Sequence, residues 1–472
     1  MVVYPLIPRY FFSRIIPTAK RGYRIWIVAI LISVVSLVSV ATLGAKAFII
    51  PFLILAPILS LRYPGFLLSS FFFSVPVAMF IFFKYYTIIG VALAGFIIAL
   101  WVARKMVASE GEFHYSKFLL FYSAAYLAVC TISGMNEGLT KPESNTIIRL
   151  FVFFTFIYAM YDLYHPRQTL LILIGATLPL IYASYTLLRE FTGVSGLISF
   201  LDLYRLKPAG IFPFSNALGN VLMAIVPFWI ALAIWLHNRA YKLISFAIAS
   251  FLSLAIIMTN SRAALLGFGI LMISFFIWTK KIKHLILLTL IILLLILSVP
   301  IIRNVVFLGL RFERGTTSRD VIWSNAIQMY ETSPILGIGP GNFQKTYEPY
   351  FETAYQFGFF KGVTNAHNFV INTMTELGLG GLILALILYV VPFRESRKAL
   401  SNSRSHLDKA MVYAIYGTLI SQLARSLFEG GGIIGGGRFY PDIQFWLPLV
   451  MILKFNELSR KTEGNLFFKK SH

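Results

Sequence analysis

The chain has little charge and almost no cysteine. Of its 472 residues, 13% are Asp, Glu, Lys or Arg, whereas soluble domains carry about 25%. Hydrophobic residues make up 58% of the chain, and the mean hydropathy is +0.77. Its one cysteine, Cys130, lies in an apolar run, so no intramolecular disulfide can form. This composition excludes a set of soluble domains and indicates a chain whose solvent is lipid.

Acidic residues are also scarce. Nineteen Asp and Glu stand against 41 Lys and Arg, which gives a formal net charge of +22. In a soluble protein such an excess would suggest nucleic acid as a partner, but the sequence contains no RNA- or DNA-binding motif. Basic residues also flank membrane spans and hold them at the cytoplasmic face, and this explanation fits the composition better.

Long apolar runs are abundant, and a transmembrane helix needs about 20 mostly apolar residues. Fourteen segments qualify, although the second and the last are short. They lie at about 25–42, 47–61, 65–83, 87–103, 117–133, 146–162, 169–188, 218–236, 241–259, 263–279, 284–300, 368–392, 410–427 and 441–455. The basic N-terminus followed by an apolar run resembles a signal peptide, but a second apolar run follows at once and favours an uncleaved first span. The sequence predicts an all-α polytopic membrane protein with about 12–14 transmembrane helices and one long ordered extracytoplasmic loop, 301–367.

The distribution of basic residues predicts the orientation. With a cytoplasmic N-terminus and fourteen spans, 25 of the 41 Lys and Arg fall inside, as the positive-inside rule requires. Both termini are then expected to be cytoplasmic. Six of the outer basic residues nevertheless gather in the loop: Arg303, Arg311, Arg314, Arg319, Lys345 and Lys361. Arginine collected on the outer face against the usual bias suggests an anionic ligand.

The histidines separate more sharply. Six of the seven fall in predicted cytoplasmic segments, and His367 alone faces outward. If chemistry at the outer face needs a side chain that titrates near neutrality, His367 is the histidine available. A histidine at a span end can equally cap or pack its helix without any chemistry, and Arg262 can be an ordinary anchor at a span end.

The long loop has signs of order. Ser318 can cap a helix from about 319 to 331, with Ile322, Ala326, Met329 and Tyr330 on one face, and Pro334 stops it. A glycine-rich turn follows at 337–343. In the next span Asn368, Asn372, Thr375 and Glu376 share one face, while the glycines at 378, 380 and 381 would let another helix approach closely. Glu376 can also pair with a basic residue merely to hold helices together, and the glycine runs 430–432 and 435–437 suggest a flexible outer loop.

Four elements in order resemble the O-antigen ligase and O-antigen polymerase superfamily. They are Arg205-Leu206-Lys207-Pro208-Ala209-Gly210-Ile211-Phe212 with Ser215-Asn216; Thr259-Asn260-Ser261-Arg262; Ser318-Arg319 with Trp323, Ala326, Pro334 and Gly337-Ile338-Gly339-Pro340-Gly341-Asn342-Phe343; and Ala366-His367-Asn368 with Glu376-Leu377-Gly378. The resemblance covers about 200–390. In the first element Gly210 stands five residues after Arg205 rather than three, so Lys207 fits the spacing as a basic substitute, and Phe214-Ser215-Asn216 stands where Pro-Asn is common.

The resemblance implies a glycosyltransferase of the bacterial cytoplasmic (inner) membrane with its active site on the periplasmic face. Its donor would be a glycan on undecaprenyl diphosphate, and it would need no ATP and no metal ion. The acceptor would be the sugar core of lipid A for a ligase, or another lipid-linked repeat unit for a polymerase, with a slight preference for ligase. His367 would act as general base. Arg262 and Arg319 would neutralise the diphosphate, with Arg311, Arg314, Arg205 and Lys207 as further candidates. Asn368 or Glu376 would support the histidine or bind sugar.

The chain is accordingly divided into N-terminal transmembrane helices (1–200), a ligase-like catalytic region (201–392), and C-terminal helices with a basic cytoplasmic tail (393–472). A polyprenyl-glycan flippase or transporter is the main rival class. The sequence lacks the paired Gly/Pro-broken spans that transporters often show, and its charges gather outside. A peptidoglycan glycosyltransferase of the shape, elongation and division group is a second rival, disfavoured by the Ala-His-Asn element.

Overall fold

The computed structural model describes most of the chain after residue 85. The described stretches are 86–107, 115–136, 141–192, 214–300, 319–347, 363–429 and 439–460, with isolated positions at 68, 69, 71, 72, 138, 199, 203, 209, 210, 303, 433, 434 and 467. The predicted spans 25–42 and 47–61, and nearly all of 65–83, lie outside these residues.

The described residues are predominantly helical, and no strand occurs among them. Their α-helices are α1 Tyr86–Val107, α2 Lys117–Asn136, α3 Lys141–Leu163, α4 Thr169–Thr192, α5 Ser215–Trp235, α6 Arg239–Met258, α7 Arg262–Trp278, α8 Ile282–Ser298, α9 Arg319–Thr332, α10 Phe343–Tyr347, α11 Phe369–Asn402, α12 His406–Ser426 and α13 Phe439–Leu458. A short 3-10 turn, Pro166–Gln168, joins α3 to α4.

Each predicted span that falls within the described stretches coincides with a helix. Six helices, α2 to α6 and α11, are long and apolar enough to cross a membrane, and α1 and α7 hold shorter apolar stretches. The prediction of an all-α polytopic membrane protein is therefore confirmed. Helix α11 differs from its predicted span because it stays helical to Asn402, through the basic segment after residue 392.

Helix α5 forms the centre of the bundle. It packs against α4, α6, α7, α12 and α13, and Leu218, Leu222 and Val226 on it are completely buried. Two polar contacts fix it to α12: Thr418 Oγ1 donates to the carbonyl of Ala224 (3.3 Å), and Gln422 Nε2 donates to that of Asn220 (3.1 Å). Buried polar groups need such partners in an apolar setting. These contacts hold the start of α5 beside the end of α12.

Helix α11 is interrupted at Gly378, whose backbone (φ 64°, ψ −151°) is not helical. The interruption frees the carbonyls of Thr375 and Glu376, which accept hydrogen bonds from the amides of Ile338 (3.1 Å) and Gly339 (3.0 Å). On the other side of the break, the amide of Leu379 donates to the carbonyl of Pro334 (2.9 Å). The glycine-rich turn of the long loop is thus docked on the break by backbone hydrogen bonds.

Candidate functional site

A single carboxylate, that of Glu429 just after α12, gathers three of the four sequence elements. Its Oε1 accepts a hydrogen bond from Asn216 Nδ2 (2.7 Å) and forms an ion pair with Arg319 Nη2 (3.2 Å). Its Oε2 lies 3.5 Å from His367 Nδ1. The remaining element joins through Ser261, whose hydroxyl donates to Asn216 Oδ1 (2.7 Å). Residues spread over more than 200 positions of sequence therefore meet at one end of the bundle.

The backbone of His367 is held in an unusual conformation. Its φ is 48°, in the left-handed region that few residues other than glycine adopt. Asn365 stabilises this turn, because its Oδ1 accepts from the amide of His367 (2.9 Å). Such conformations persist only where the surroundings determine them, and they cluster at functional sites. The imidazole position is thus set by the backbone turn.

The residues on either side of His367 are fixed as well. The carbonyl of Ala366 accepts from Trp323 Nε1 (2.8 Å), and its amide donates to Asn372 Oδ1 (3.0 Å). Asn368 caps α11 by accepting from the amide of Ile371 (3.0 Å), while its Nδ2 donates to the carbonyl of Leu427 (3.1 Å). This last bond ties the start of α11 to the end of α12, two residues before the carboxylate.

The imidazole is partly open to solvent. The side chain of His367 is 39% exposed, against 12% for Glu429 and 18% for Arg319. Atom Nδ1 itself is buried and has no partner at hydrogen-bond distance, so the exposed area lies on the rest of the side chain. With Nδ1 turned toward Glu429, the histidine can meet a substrate through its other nitrogen.

Glu429 stays ionised despite its burial. Burial by itself raises the pKa of the Glu429 carboxyl, but the facing His367 and the cations Arg425 and Arg319 outweigh it and leave this pKa below its ordinary value. Nearby positive charges favour the ionised carboxylate. The site therefore contains a negative charge that can hold the histidine and Arg319 in place.

Arg262 is the first residue of α7 and lies near Arg319. Ser261 caps this helix by accepting from the amide of Ala264 (3.4 Å). A helix N-terminus carries a partial positive charge, so arginine does not stabilise α7 there. The guanidinium groups of Arg262 and Arg319 also repel each other, and an anion between them would relieve that repulsion.

The other predicted site residues fare differently. Asn368 has the structural contacts given above. Glu376 lies nine residues beyond His367, about 13 Å along the helix direction at 1.5 Å per residue, and its backbone carbonyl accepts from the hydroxyl of Ser133 on α2 (2.9 Å). Arg205, Lys207, Arg311 and Arg314 lie outside the described residues. The structure thus brings together His367, Arg262 and Arg319. Neither Asn368 nor Glu376 orients the imidazole directly.

Glu429 was missed by the sequence interpretation, which treated the segment after 427 as a flexible glycine loop. A signal was present, because the predicted topology puts this carboxylate at the outer end of a span, on the same side as His367. Asn216 and Trp323 were quoted as motif members without a role. Within the described stretches, no group of three or more His, Cys, Asp or Glu side chains is arranged to hold a metal ion.

Residues 247–386 match the family model described as O-antigen ligase. This segment is similar to the O-antigen ligase family. The matched segment contains Arg262, Arg319 and His367, whereas Asn216 and Glu429 lie outside it. Comparison with curated protein sequences gives no match. The match supports a relationship to the O-antigen ligase and polymerase superfamily and a membrane glycosyltransferase-like activity on lipid-linked glycans.

Proposed function

We propose that the protein transfers a glycan from undecaprenyl diphosphate to a sugar hydroxyl of lipid A-core, as an inverting, metal-independent O-antigen ligase in the bacterial inner membrane. The observation that supports this proposal best is the convergence of His367, Arg319 and Asn216 on Glu429. A partly exposed histidine backed by a carboxylate, beside two arginines, suits proton removal from a hydroxyl next to an anionic leaving group.

In this mechanism Glu429 faces a proton on Nδ1 of His367, which leaves the lone pair on Nε2 for catalysis. Nε2 takes the proton of the acceptor hydroxyl, and the acceptor oxygen forms a bond to the anomeric carbon of the donor. The bond from that carbon to the diphosphate oxygen breaks, and its electron pair departs with the diphosphate. Direct displacement inverts the anomeric configuration. The imidazolium that forms is stabilised by Glu429.

The arginines act on the leaving group. Negative charge grows on the diphosphate as the glycosidic bond breaks, and arginine binds phosphate oxygens through two parallel hydrogen bonds while remaining charged. Arg262 and Arg319 repel each other, and Glu429 forms an ion pair with Arg319. A diphosphate bound between the two guanidinium groups would reduce the remaining repulsion. Such preorganised charge is often the largest contribution to transition-state stabilisation. Asn368 supports the site by capping α11 and by donating to the carbonyl of Leu427, and Glu376 is part of the same helix. Neither side chain touches substrate in this mechanism.

The direct test uses purified protein in detergent with a lipid-linked glycan donor and a lipid A-core acceptor. We expect His367→Ala to reduce transfer by about 10²–10⁴-fold, the range typical of a general base, with folding unchanged by melting temperature. Near-normal transfer by purified His367→Ala would refute the general-base role. Conversion in detergent also separates an enzyme from a flippase, because a flippase has no activity without a bilayer.

Deletion of the gene in its own host distinguishes ligase from polymerase. If the glycan ladder persists but stays on its lipid carrier, the protein is a ligase. If the ladder disappears and single repeat units remain on the carrier, it is a polymerase that joins lipid-linked repeat units. If neither changes, the proposed substrate is wrong.

A further inference from the structure

We infer that Asn216 and Ser261 are positioning residues for catalysis, which act by fixing the orientation of the Glu429 carboxylate toward His367. This inference rests on the proposed function, because it assigns these two side chains to the same proton-transfer site. Neither side chain needs to touch substrate. Their proposed effect passes through Glu429.

A relay of hydrogen bonds runs from the backbone at the start of α7 through Ser261 and Asn216 to Glu429. Its donors and acceptors can be arranged in only one direction. An ionised carboxylate has no proton to give, so the amide that meets Glu429 must be the NH2 group of Asn216. The Oδ1 of Asn216 is then turned to Ser261, whose hydroxyl donates to it (2.7 Å). The Ser261 oxygen accepts in turn from the amide of Ala264 (3.4 Å) at the N-terminus of α7. Each donor meets an acceptor from the α7 cap to the carboxylate.

The relay determines which carboxylate oxygen meets the histidine. Asn216 and Arg319 both bond to Oε1 of Glu429 (2.7 and 3.2 Å), and this leaves Oε2 directed at His367 Nδ1 (3.5 Å). Arg319 alone would be a weak anchor, because in the proposed reaction it also binds the leaving diphosphate. The uncharged amide of Asn216 is attracted to an incoming diphosphate less strongly than the guanidinium of Arg319. Asn216 can therefore hold the carboxylate while Arg319 engages substrate.

The packing of α5 on α7 places the relay. Asn216 and Gly219 lie three residues apart on one face of α5, and a Cβ at Gly219 would stand 2.6 Å from Cβ of Ala264 and 3.7 Å from that of Ser261. The missing side chain lets the start of α7 approach closely. Ser261 is 1% exposed and Ala264 is completely buried, so this contact is part of the core. Gly219, one turn after Asn216, therefore allows the close packing that brings Ser261 to Asn216.

A double-mutant cycle tests the inference with donor and acceptor saturating. We expect Asn216→Ala to lower kcat by about 10–100-fold, as for the loss of a hydrogen bond to a charged group, with KM for the acceptor changed less than about threefold. In a Glu429→Gln background the same substitution should lower kcat by less than about threefold, since the group on which Asn216 acts has gone. Ser261→Ala should behave like Asn216→Ala, and Ser261→Thr, which keeps the hydroxyl, should restore most activity.

Asn238→Ala is the matched control. Asn238 precedes α6 and caps it by accepting from two backbone amides. Like Asn216 it is an asparagine at a helix start, but its side chain bonds to the backbone of α6 rather than to Glu429. The kcat of Asn238→Ala should therefore equal that of the wild type. Equal losses of kcat for Asn216→Ala in both backgrounds, or no loss in the wild-type background, would overturn the inference. If Asn216→Ala fails to fold, Ser261→Ala replaces it in the cycle with the same criteria. Full activity of both His367→Ala and Glu429→Gln would instead refute the proposed function itself.

Discussion

Oε2 of Glu429 lies 3.5 Å from Nδ1 of His367, although the two residues are 62 positions apart in the chain. His367 lies just before α11, and Glu429 lies just after α12. The carboxylate is largely buried and the imidazole is partly open. Because Asn368 donates to the carbonyl of Leu427 (3.1 Å), the approach of these two ends is fixed by a hydrogen bond between their neighbours. The pair is therefore a built part of the bundle, and its charge has consequences for stability as well as for chemistry.

The first prediction concerns pH and stability. The pKa of Glu429 in the folded protein is below its ordinary value because the facing cations outweigh burial. The ionised group therefore adds stability that is fully present above about pH 4.5 and is lost as pH falls through the lowered pKa. We expect wild-type protein to melt above Glu429→Gln at pH 7, with the difference shrinking below about pH 4.5.

The measurement is the melting temperature in detergent, followed by tryptophan fluorescence from about pH 3.5 to pH 8. Glu331→Gln, at an exposed position on α9, serves as the control and should track the wild type throughout. A melting difference between wild type and Glu429→Gln that stays constant across this range would contradict the prediction.

The second prediction concerns the two arginines. Lysine keeps the charge but cannot make two parallel hydrogen bonds to phosphate, so we expect Arg262→Lys and Arg319→Lys each to lower transfer by about 10-fold or more. Arg319→Lys should also weaken the ion pair with Glu429 (3.2 Å in the wild type). Initial rates with purified protein give the measurement.

Lys345→Ala is the control for a general loss of loop charge, because Lys345 is exposed on α10. It should retain wild-type rates. Wild-type rates for Arg262→Lys and Arg319→Lys would show that charge alone suffices, and would argue against phosphate recognition by the guanidinium geometry.

Local pattern predicted one part of the site well. The spacing of Ile322, Ala326 and Met329 predicted a helix over 319–331, and α9 runs from Arg319 to Thr332 with these three side chains buried. This worked because a helix stop at proline and one apolar face are local properties. The glycine at 380 was also predicted correctly, since a Cβ there would meet Val129 of α2 at 3.1 Å.

Other features depend on contacts that no local pattern encodes. Asn216 meets Glu429 across 213 positions, and only the packing of α5 on α12 brings them together. Gly378 was predicted to admit a neighbouring helix, but a Cβ there would meet the backbone of Ile335 and Gly337 in the long loop. The glycine signalled close approach without revealing by what, because backbone conformation at glycine has many uses.

The third prediction concerns Trp323. Its Nε1 donates to the carbonyl of Ala366 (2.8 Å), while its ring packs near that of Phe428 (6.3 Å between centroids). Trp323→Phe keeps an aromatic ring but removes the donor, which leaves the Ala366 carbonyl without that partner. Because this carbonyl precedes His367, we expect kcat to fall by about 5–10-fold while melting drops only slightly. Steady-state kinetics check it, and an unchanged kcat would show that the turn holds without this bond.

The fourth prediction concerns the break in α11. Gly337 and Gly378 both have positive φ, and a Cβ at either would lie against a backbone carbonyl oxygen of the other's segment, that of Glu376 or of Ile335. Neither side can yield, because the amides of Ile338, Gly339 and Leu379 are bonded across the same contact. We expect Gly337→Ala and Gly378→Ala each to lower the free energy of unfolding by about 1–3 kcal/mol or more and to reduce transfer, since the docked loop carries Arg319.

Gly269→Ala is the matched control: a Cβ there has no atom within 4 Å, so alanine should leave melting unchanged or raise it slightly through its better helix propensity. Equal melting temperatures for Gly378→Ala and Gly269→Ala would mean that the loop does not depend on the break for its place.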